Sequence, residues 1–196
     1  MQKLAIFASG NGSNAQRIIE YFFGHPDISI NLVVSNKSKA YVLTRAANLG
    51  VPTVIFDRNA FNDGIIITNF LLDKGIDYLI LAGFLWLLPA NLLSAFSGRI
   101  LNIHPALLPK FGGKGMYGKK VHEAVIAAHE TESGITIHHV NEYYDEGKVI
   151  FYAKCPVTPY DTPETLAAKV HELEYRFYPE MIEHVVMRTL KPEMGL

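Results

Sequence analysis

The apolar positions of this chain fall into two periods that take turns. Residues 4–8 are apolar without interruption, as in a parallel-sheet strand buried on both faces. They run into Ser9-Gly10-Asn11-Gly12-Ser13-Asn14, after which Ile18, Ile19, Phe22 and Phe23 recur at helical spacing from Ala15 until Gly24 and Pro26 stop them. Strand, glycine loop and helix open a βαβ unit. The cycle repeats through a strand at 28–34, a helix at 40–49, a short strand at 51–56, a helix at 60–74 and an apolar strand at 78–82. Such alternation predicts an α/β fold on a doubly wound, mostly parallel sheet.

Pro89 is placed for the first turn of a further helix through Phe96, and a fifth strand follows, ending at His104. A helix is expected at 121–129. The pattern then changes, because the strand-like runs at 134–140 and 149–155 are joined by a segment too short for a crossover helix and should pair antiparallel. The last helix, 163–190, has Asp161 or Thr162 as its cap, Glu164 in its first turn and Pro179 as an internal break. With no repeat, low-complexity tract or linker, residues 1–196 read as one domain.

Composition adds limits. Hydrophobic residues make up 49% and charged residues 19% of 196, which suits a full core, and the net charge of -1 leaves no global attraction to nucleic acid or membrane. Any anionic ligand must then be held locally. The longest apolar run, at 77–88, begins with a charge and is short of the ~18 residues that span a bilayer. A single Cys155 excludes an internal disulfide, and the N-terminus runs straight into a strand; both favour a cytoplasmic location.

Candidate chemistry centres on Asn102 and His104. Period two puts them on one face at a strand's end, and Pro105 then stops the ladder and hands the chain to a loop. Either they serve a site there, or they are core side chains bonded to backbone. The loop at 10–15 fits G-x-G-x-x-A, yet the second strand ends Val34-Ser35-Asn36-Lys37 without the acid that holds a dinucleotide's ribose. That discounts NAD and leaves two readings, a phosphate site at a helix N-terminus or a tight turn in which Ser13 or Asn14 caps. Asp145-Glu146-Gly147 is either an ordinary hairpin turn or, brought near His104, the acid that orients it. Of His138 and His139, on opposite faces of their strand, only one can point into a site. Leu85-Trp86-Leu87-Leu88 is core or the wall of a pocket for a flat ligand. His122-Glu123 and His171-Glu172 lack the second histidine of a zincin motif, and no metal spacing is present.

Four pieces together carry a family resemblance: Ser-Gly-Asn-Gly-Ser-Asn at 9–14, Leu-Ala-Gly-Phe at 81–84, Asn-Ile-His-Pro-Ala-Leu-Leu-Pro at 102–109 and Tyr-Asp-Glu-Gly at 144–147. On these the chain resembles the folate-dependent formyltransferases over essentially its whole length, and within them the phosphoribosylglycinamide formyltransferase branch. The resemblance implies a Rossmann-like formyltransferase fold, with a phosphate-binding half at 1–100 and a catalytic and folate-binding half at 101–196. It implies formyl transfer from 10-formyltetrahydrofolate, a co-substrate, to the amine of 5'-phosphoribosylglycinamide in purine synthesis, without a metal. Asn102, His104 and Asp145 match the catalytic trio. Gly12, Ser13 and Asn14 match the phosphate loop, and Pro105, His171 and Glu174 other substrate contacts. Leu85, Trp86, Leu87 and Leu88, the segment 140–145 with Val140, Asn141 and Asp145, and Asn102 match the folate pocket. Ala106 for Ser, Trp86 for Arg and the longer Gly-Lys-Gly-Met-Tyr-Gly loop at 113–118 depart from the usual pattern. Partners are expected to be small molecules, not nucleic acid or membrane, with the chain a monomer or homodimer.

The implied mechanism has imidazolium His104 and the Asn102 amide donating to the formyl oxygen as the amine attacks, each donor being worth ~2.7–4 kcal/mol in comparable sites. Asp145 is expected to keep His104 charged and to help move the proton. A methionyl-tRNA formyltransferase would carry a C-terminal domain and a formyltetrahydrofolate hydrolase an N-terminal one, so neither is expected here. A noncatalytic phosphate binder on the same fold is the reading from another class.

Overall fold

Seven strands form one sheet in the order β3-β2-β1-β4-β5-β6-β7. The computed structural model describes residues 1–190; the last six residues of the expected domain lie outside them. The strands are β1 Gln2–Phe7, β2 Ile28–Ser35, β3 Thr53–Ile55, β4 Tyr78–Leu81, β5 Ile100–His104, β6 Glu132–His139 and β7 Val149–Pro156. The helices are α1 Ser13–Tyr21, α2 Tyr41–Asn48, α3 Arg58–Asp63, α4 Ile65–Asp73, α5 Ala90–Ala95, α6 Lys119–Ala127 and α7 Pro163–Leu190. β1 to β5 are mutually parallel. The antiparallel pairing expected for the last two strands is present and begins one strand earlier, since β6 also runs antiparallel to β5.

Alternation along the central strands divides the core. Leu4, Ile6 and Ala8 face a cluster with α1, α2 and α7, whereas Ala5 and Phe7 face a second one with α3, α4 and α5. In β5, Leu101 and Ile103 join the first cluster and Ile100 the second, so Asn102 and His104 emerge on the face of Ile100. Chain order reverses across β1, with β2 on one side and β4 on the other. The carboxyl ends of β1 and β4 therefore flank the crevice where open α/β sheets bind ligands.

Two expectations need correction. The helix expected at 60–74 is two helices, because Gly64 takes a left-handed φ of 71° and its backbone lies against Pro89, where a Cβ would approach to 2.8 Å. Pro179 does not break α7, which continues through it. Losing one backbone bond there is outweighed by a buried stripe at every fourth position, Leu166, Val170, Tyr178, Ile182 and Val186, with Glu174 standing where another apolar residue would. Thr162, the second of the two expected caps, accepts the Thr165 N–H at 3.3 Å.

Candidate active site

A cavity of about 430 Å³ opens at this crevice, lined by the loop after β1, the ends of β4 and β5, the segment before α6, and α7. At one end Gly10 to Asn14 lead into α1. Gly12 is the N-cap, in a left-handed conformation with φ 77°, and no side chain caps the helix, so neither Ser13 nor Asn14 plays the capping role. A Cβ on Gly12 would stand 2.4 Å from Val42 Cγ2, so only glycine fits there. The loop is held from outside: Gly10 O accepts from Val42 N at 3.1 Å, and Arg45 Nε donates to Asn11 O at 2.9 Å. Its free N–H groups and the helix dipole favour an anion in the cavity, and Lys37, at the end of β2, adds a positive charge to the wall.

Asn14 turns its amide to α7, donating from Nδ2 to Glu174 Oε2 at 2.9 Å. Glu174 is 6% exposed, and burial pushes its carboxyl up to about 7 despite the Asn14 hydrogen bond. His171, one turn earlier, also faces the cavity, stacks on Tyr175 and is shifted below the ordinary imidazole value by burial.

Asn102, His104 and Asp145 meet on the wall of the same cavity. Asp145 has a left-handed φ of 59° in the β6–β7 connection, and the turn packs so closely on β6 that a Cβ on Gly147 would overlap the His139 carbonyl. This delivers the carboxylate to β5: Oδ2 lies 3.4 Å from His104 Nδ1 and accepts Gly113 N–H at 2.9 Å, while Oδ1 lies 3.5 Å from Asn102 Nδ2. His104 Nε2 is 2.8 Å from Phe111 O. Both ring nitrogens thus face acceptors, and only a doubly protonated ring satisfies both. Burial acts the other way and pushes His104 below its ordinary value, against Asp145 and the Phe111 carbonyl. The expected effect of Asp145 on His104 has the right sign but is outweighed by burial. For Asp145, burial raises the carboxyl, and His138, the charge of His104 and the Gly113 N–H together more than reverse it.

His138 is the member of the histidine pair that points inward. It sits opposite Asn102 in the β5–β6 ladder. Its Nδ1 lies 2.8 Å from His139 O and donates there, and Nε2 faces both Asn102 Nδ2 at 3.1 Å and Asp145 Oδ1 at 3.7 Å, donating to the carboxylate when protonated and accepting from the Asn102 amide when neutral. In the neutral ring a backbone carbonyl thereby sets the orientation of the Asn102 amide. Its second N–H has only the 3.5 Å contact to Asp145, at the long limit of a hydrogen bond.

The cavity brings together Gly12, Ser13, Asn14, Leu85, Asn102, His104, Pro105, Asp145, His171 and Glu174. Trp86, Leu87, Leu88, Val140 and Asn141 are not on its wall. Trp86 packs on Phe61 at 5.2 Å with Arg58 over its ring, Leu87 is exposed, and Leu88 lies in the second core cluster. Val140 packs on that cluster, and Asn141 turns its side chain to Tyr143 N. Sequence reasoning missed Lys37, Phe84, Tyr117 and His122, all on the wall, whereas Tyr144, also on the wall, falls in the 140–145 segment that the resemblance assigned to the folate pocket. Lys37 had a signal, since it stands where a dinucleotide fold would place its acid. A second hollow, about 500 Å³, lies behind the turn and shares Gly113, Tyr144 and Asp145 with the first, so Asp145 is reachable from both.

Comparison with known proteins identifies the family. Residues 2–182 match the family model described as formyl transferase. The chain is 42% identical to a chloroplastic phosphoribosylglycinamide formyltransferase of Arabidopsis thaliana over 97% of its own length and 67% of that protein's. It is 37% identical to the phosphoribosylglycinamide formyltransferase of Haemophilus influenzae, covering 93% of this chain and 86% of the relative. The crystal structure of the Streptococcus pneumoniae phosphoribosylglycinamide formyltransferase superposes with a TM-score of 0.84 at 38% identity, covering 95% of this chain and 99% of that one. With a family model matched over residues 2–182 and with relatives and a solved structure matched over most of their own length, the chain belongs to the formyl transferase family.

Proposed function

We propose that this formyl transferase moves the formyl group of 10-formyltetrahydrofolate to the amine of 5'-phosphoribosylglycinamide, the activity after which its relatives are named. One observation carries the reading: an uncapped helix N-terminus and the trio Asn102, His104 and Asp145 line a single cavity. The α1 N-terminus and Lys37 hold the substrate phosphate, and Glu174 and His171 the middle of the molecule. Phe84 and Leu85 offer an apolar wall beside Asn102 that suits the flat ring system of the folate, with its formyl group toward the trio.

Attack of the amine on the formyl carbon places negative charge on the formyl oxygen. The weakly engaged Asn102 N–H and a protonated His104 are donors for that charge. One proton must pass from the attacking nitrogen to N10 of the folate, and Asp145, ionised and in contact with both partners, is the group to relay it. The lone, buried Cys155 supports a reducing compartment, which we take to be the cytoplasm. The test is a formyl-transfer assay with glycinamide ribonucleotide, water and methionyl-tRNA as competing acceptors. Preference for the ribonucleotide is expected; transfer to water or tRNA alone overturns the reading.

A further inference from the structure

His122 lies on α6 between Val121 and Glu123, and α6 buries it with Val121 and Val125. An imidazole in such a place would ordinarily be tied to a partner, since buried polar groups are nearly always hydrogen-bonded. His122 is 2% exposed, and its Nδ1 is sealed from solvent with no hydrogen-bond partner among the described residues. The same ring contributes to the wall of the reaction cavity. Neither the reactive trio nor the phosphate loop uses it.

Its charge state is set by its surroundings. Burial, with His171 and His104 as like-charged neighbours, pushes it down to about 4, so the ring is neutral at physiological pH. A neutral imidazole carries one donor and one acceptor. Nδ1 is sealed without a partner in either tautomer, so a ligand is met through Nε2, which with the proton there makes the ring a neutral N–H donor. A cation here would repel a protonated His104; a neutral donor does not.

The position of His122 along the cavity identifies what it meets. Asn14 joins the phosphate loop to Glu174 at 2.9 Å, His171 lies one helical turn from Glu174, and His122 is within electrostatic reach of both His171 and His104. A ligand that runs from an anion at the loop to a nucleophile at His104 passes this ring with its middle section. In a ribosyl amide that section offers neutral oxygens, the ribose hydroxyls and the amide carbonyl. We infer that His122 is a substrate-binding residue whose Nε2–H donates to a neutral oxygen of the ribosyl-amide portion of the acceptor, and so helps to select that acceptor. The inference rests on the proposed function and adds a contact that the family resemblance did not assign.

The experiment compares wild type, His122→Phe and His122→Gln in steady-state formyl transfer. His122→Phe is expected to raise KM for glycinamide ribonucleotide about tenfold, with kcat and the folate KM within about twofold, and His122→Gln to recover part of the loss. An acceptor lacking the ribose hydroxyls locates the contact: losses that fail to add in the Phe variant assign the hydroxyls, and losses that add assign the amide oxygen. An unchanged acceptor KM, or equal damage to kcat and both KM values, overturns the inference. Should the Phe variant not fold, His122→Ala is assayed with added imidazole; a KM restored by imidazole supports the contact and no restoration overturns it. A wild-type chain inactive on glycinamide ribonucleotide overturns the proposed function and this contact together, whereas an active wild type with an indifferent variant overturns the contact alone.

Discussion

The Asp145 carboxylate stands 3.4 Å from Nδ1 of His104, on the side of the ring away from the Phe111 carbonyl. The pair opposes burial: His104 is pushed below its ordinary value by desolvation, and Asp145 is the largest influence resisting it. Removing the carboxylate therefore lowers the imidazole's proton affinity further. If the protonated ring is the active form, activity is present below the folded pKa and lost as pH rises through it. Asp145→Asn should move this loss to lower pH, so that its residual rate grows on acidification relative to wild type. A pH profile of kcat with unmoved limbs would contradict this.

His138 should matter through Asn102 and not through substrate affinity. With Nδ1 committed to the His139 carbonyl, Nε2 of the neutral ring is the acceptor that fixes the Asn102 amide. His138→Phe leaves that amide free to rotate, and kcat is expected to fall about tenfold, or ~1.4 kcal/mol, at nearly constant KM. His138→Gln, whose side-chain carbonyl can accept, should restore part of the rate. Full activity in the Phe variant would mean that the ladder alone orients Asn102.

Ser13→Asp separates helix stability from phosphate binding. An acid in the first turn of α1 favours the helix dipole, so the melting temperature should hold or rise. The same charge repels a bound phosphate, and calorimetry should show affinity for glycinamide ribonucleotide reduced by about 10²-fold with folate-analogue binding little changed. Equal loss of both ligands, or of neither, would remove the phosphate from this loop.

Glu174 makes folding stability depend on pH with a definite sign. Its folded carboxyl lies near 7, raised by burial from 4.5. The folded chain thus holds a proton that the unfolded chain has released between those values, and stability is lost as pH rises from about 4.5 through about 7. The loss is on the order of 3 kcal/mol. Urea unfolding at pH 5 and pH 8 should show this slope in wild type, reduced in Glu174→Gln. A variant with the wild-type slope would assign the effect to other groups.

Most of the sheet was legible because β1 and β4 carry continuous apolar runs, β2 and β5 keep apolar residues at strand spacing, and the helices between them have periodic faces. What failed was local. Gly64 splits a helix through a close approach to Pro89, a contact without a signal near Gly64 in the sequence. Pro179 suggested a break, but a buried stripe outlasts one missing hydrogen bond. In the site, period two joined Asn102 to His104, and it limited His138 and His139 to one inward ring without saying which. That Trp86 joins an aromatic cluster with Phe61 and Phe84 while Leu85 reaches the cavity depends on the turn after β4, where periodicity no longer applies.

The central claim is that Asn102, His104 and Asp145 act as one unit in formyl transfer, and a double-variant cycle under single-turnover conditions tests it most directly. Transfer from 10-formyltetrahydrofolate to glycinamide ribonucleotide is measured for wild type, Asp145→Asn, His104→Ala and the pair. Each single change is expected to slow transfer by at least about 10²-fold with both ligands still bound, and the double change to cost about as much as the worse single one. Losses that multiply, or near-normal transfer by Asp145→Asn, would make Asp145 a turn residue and contradict the account.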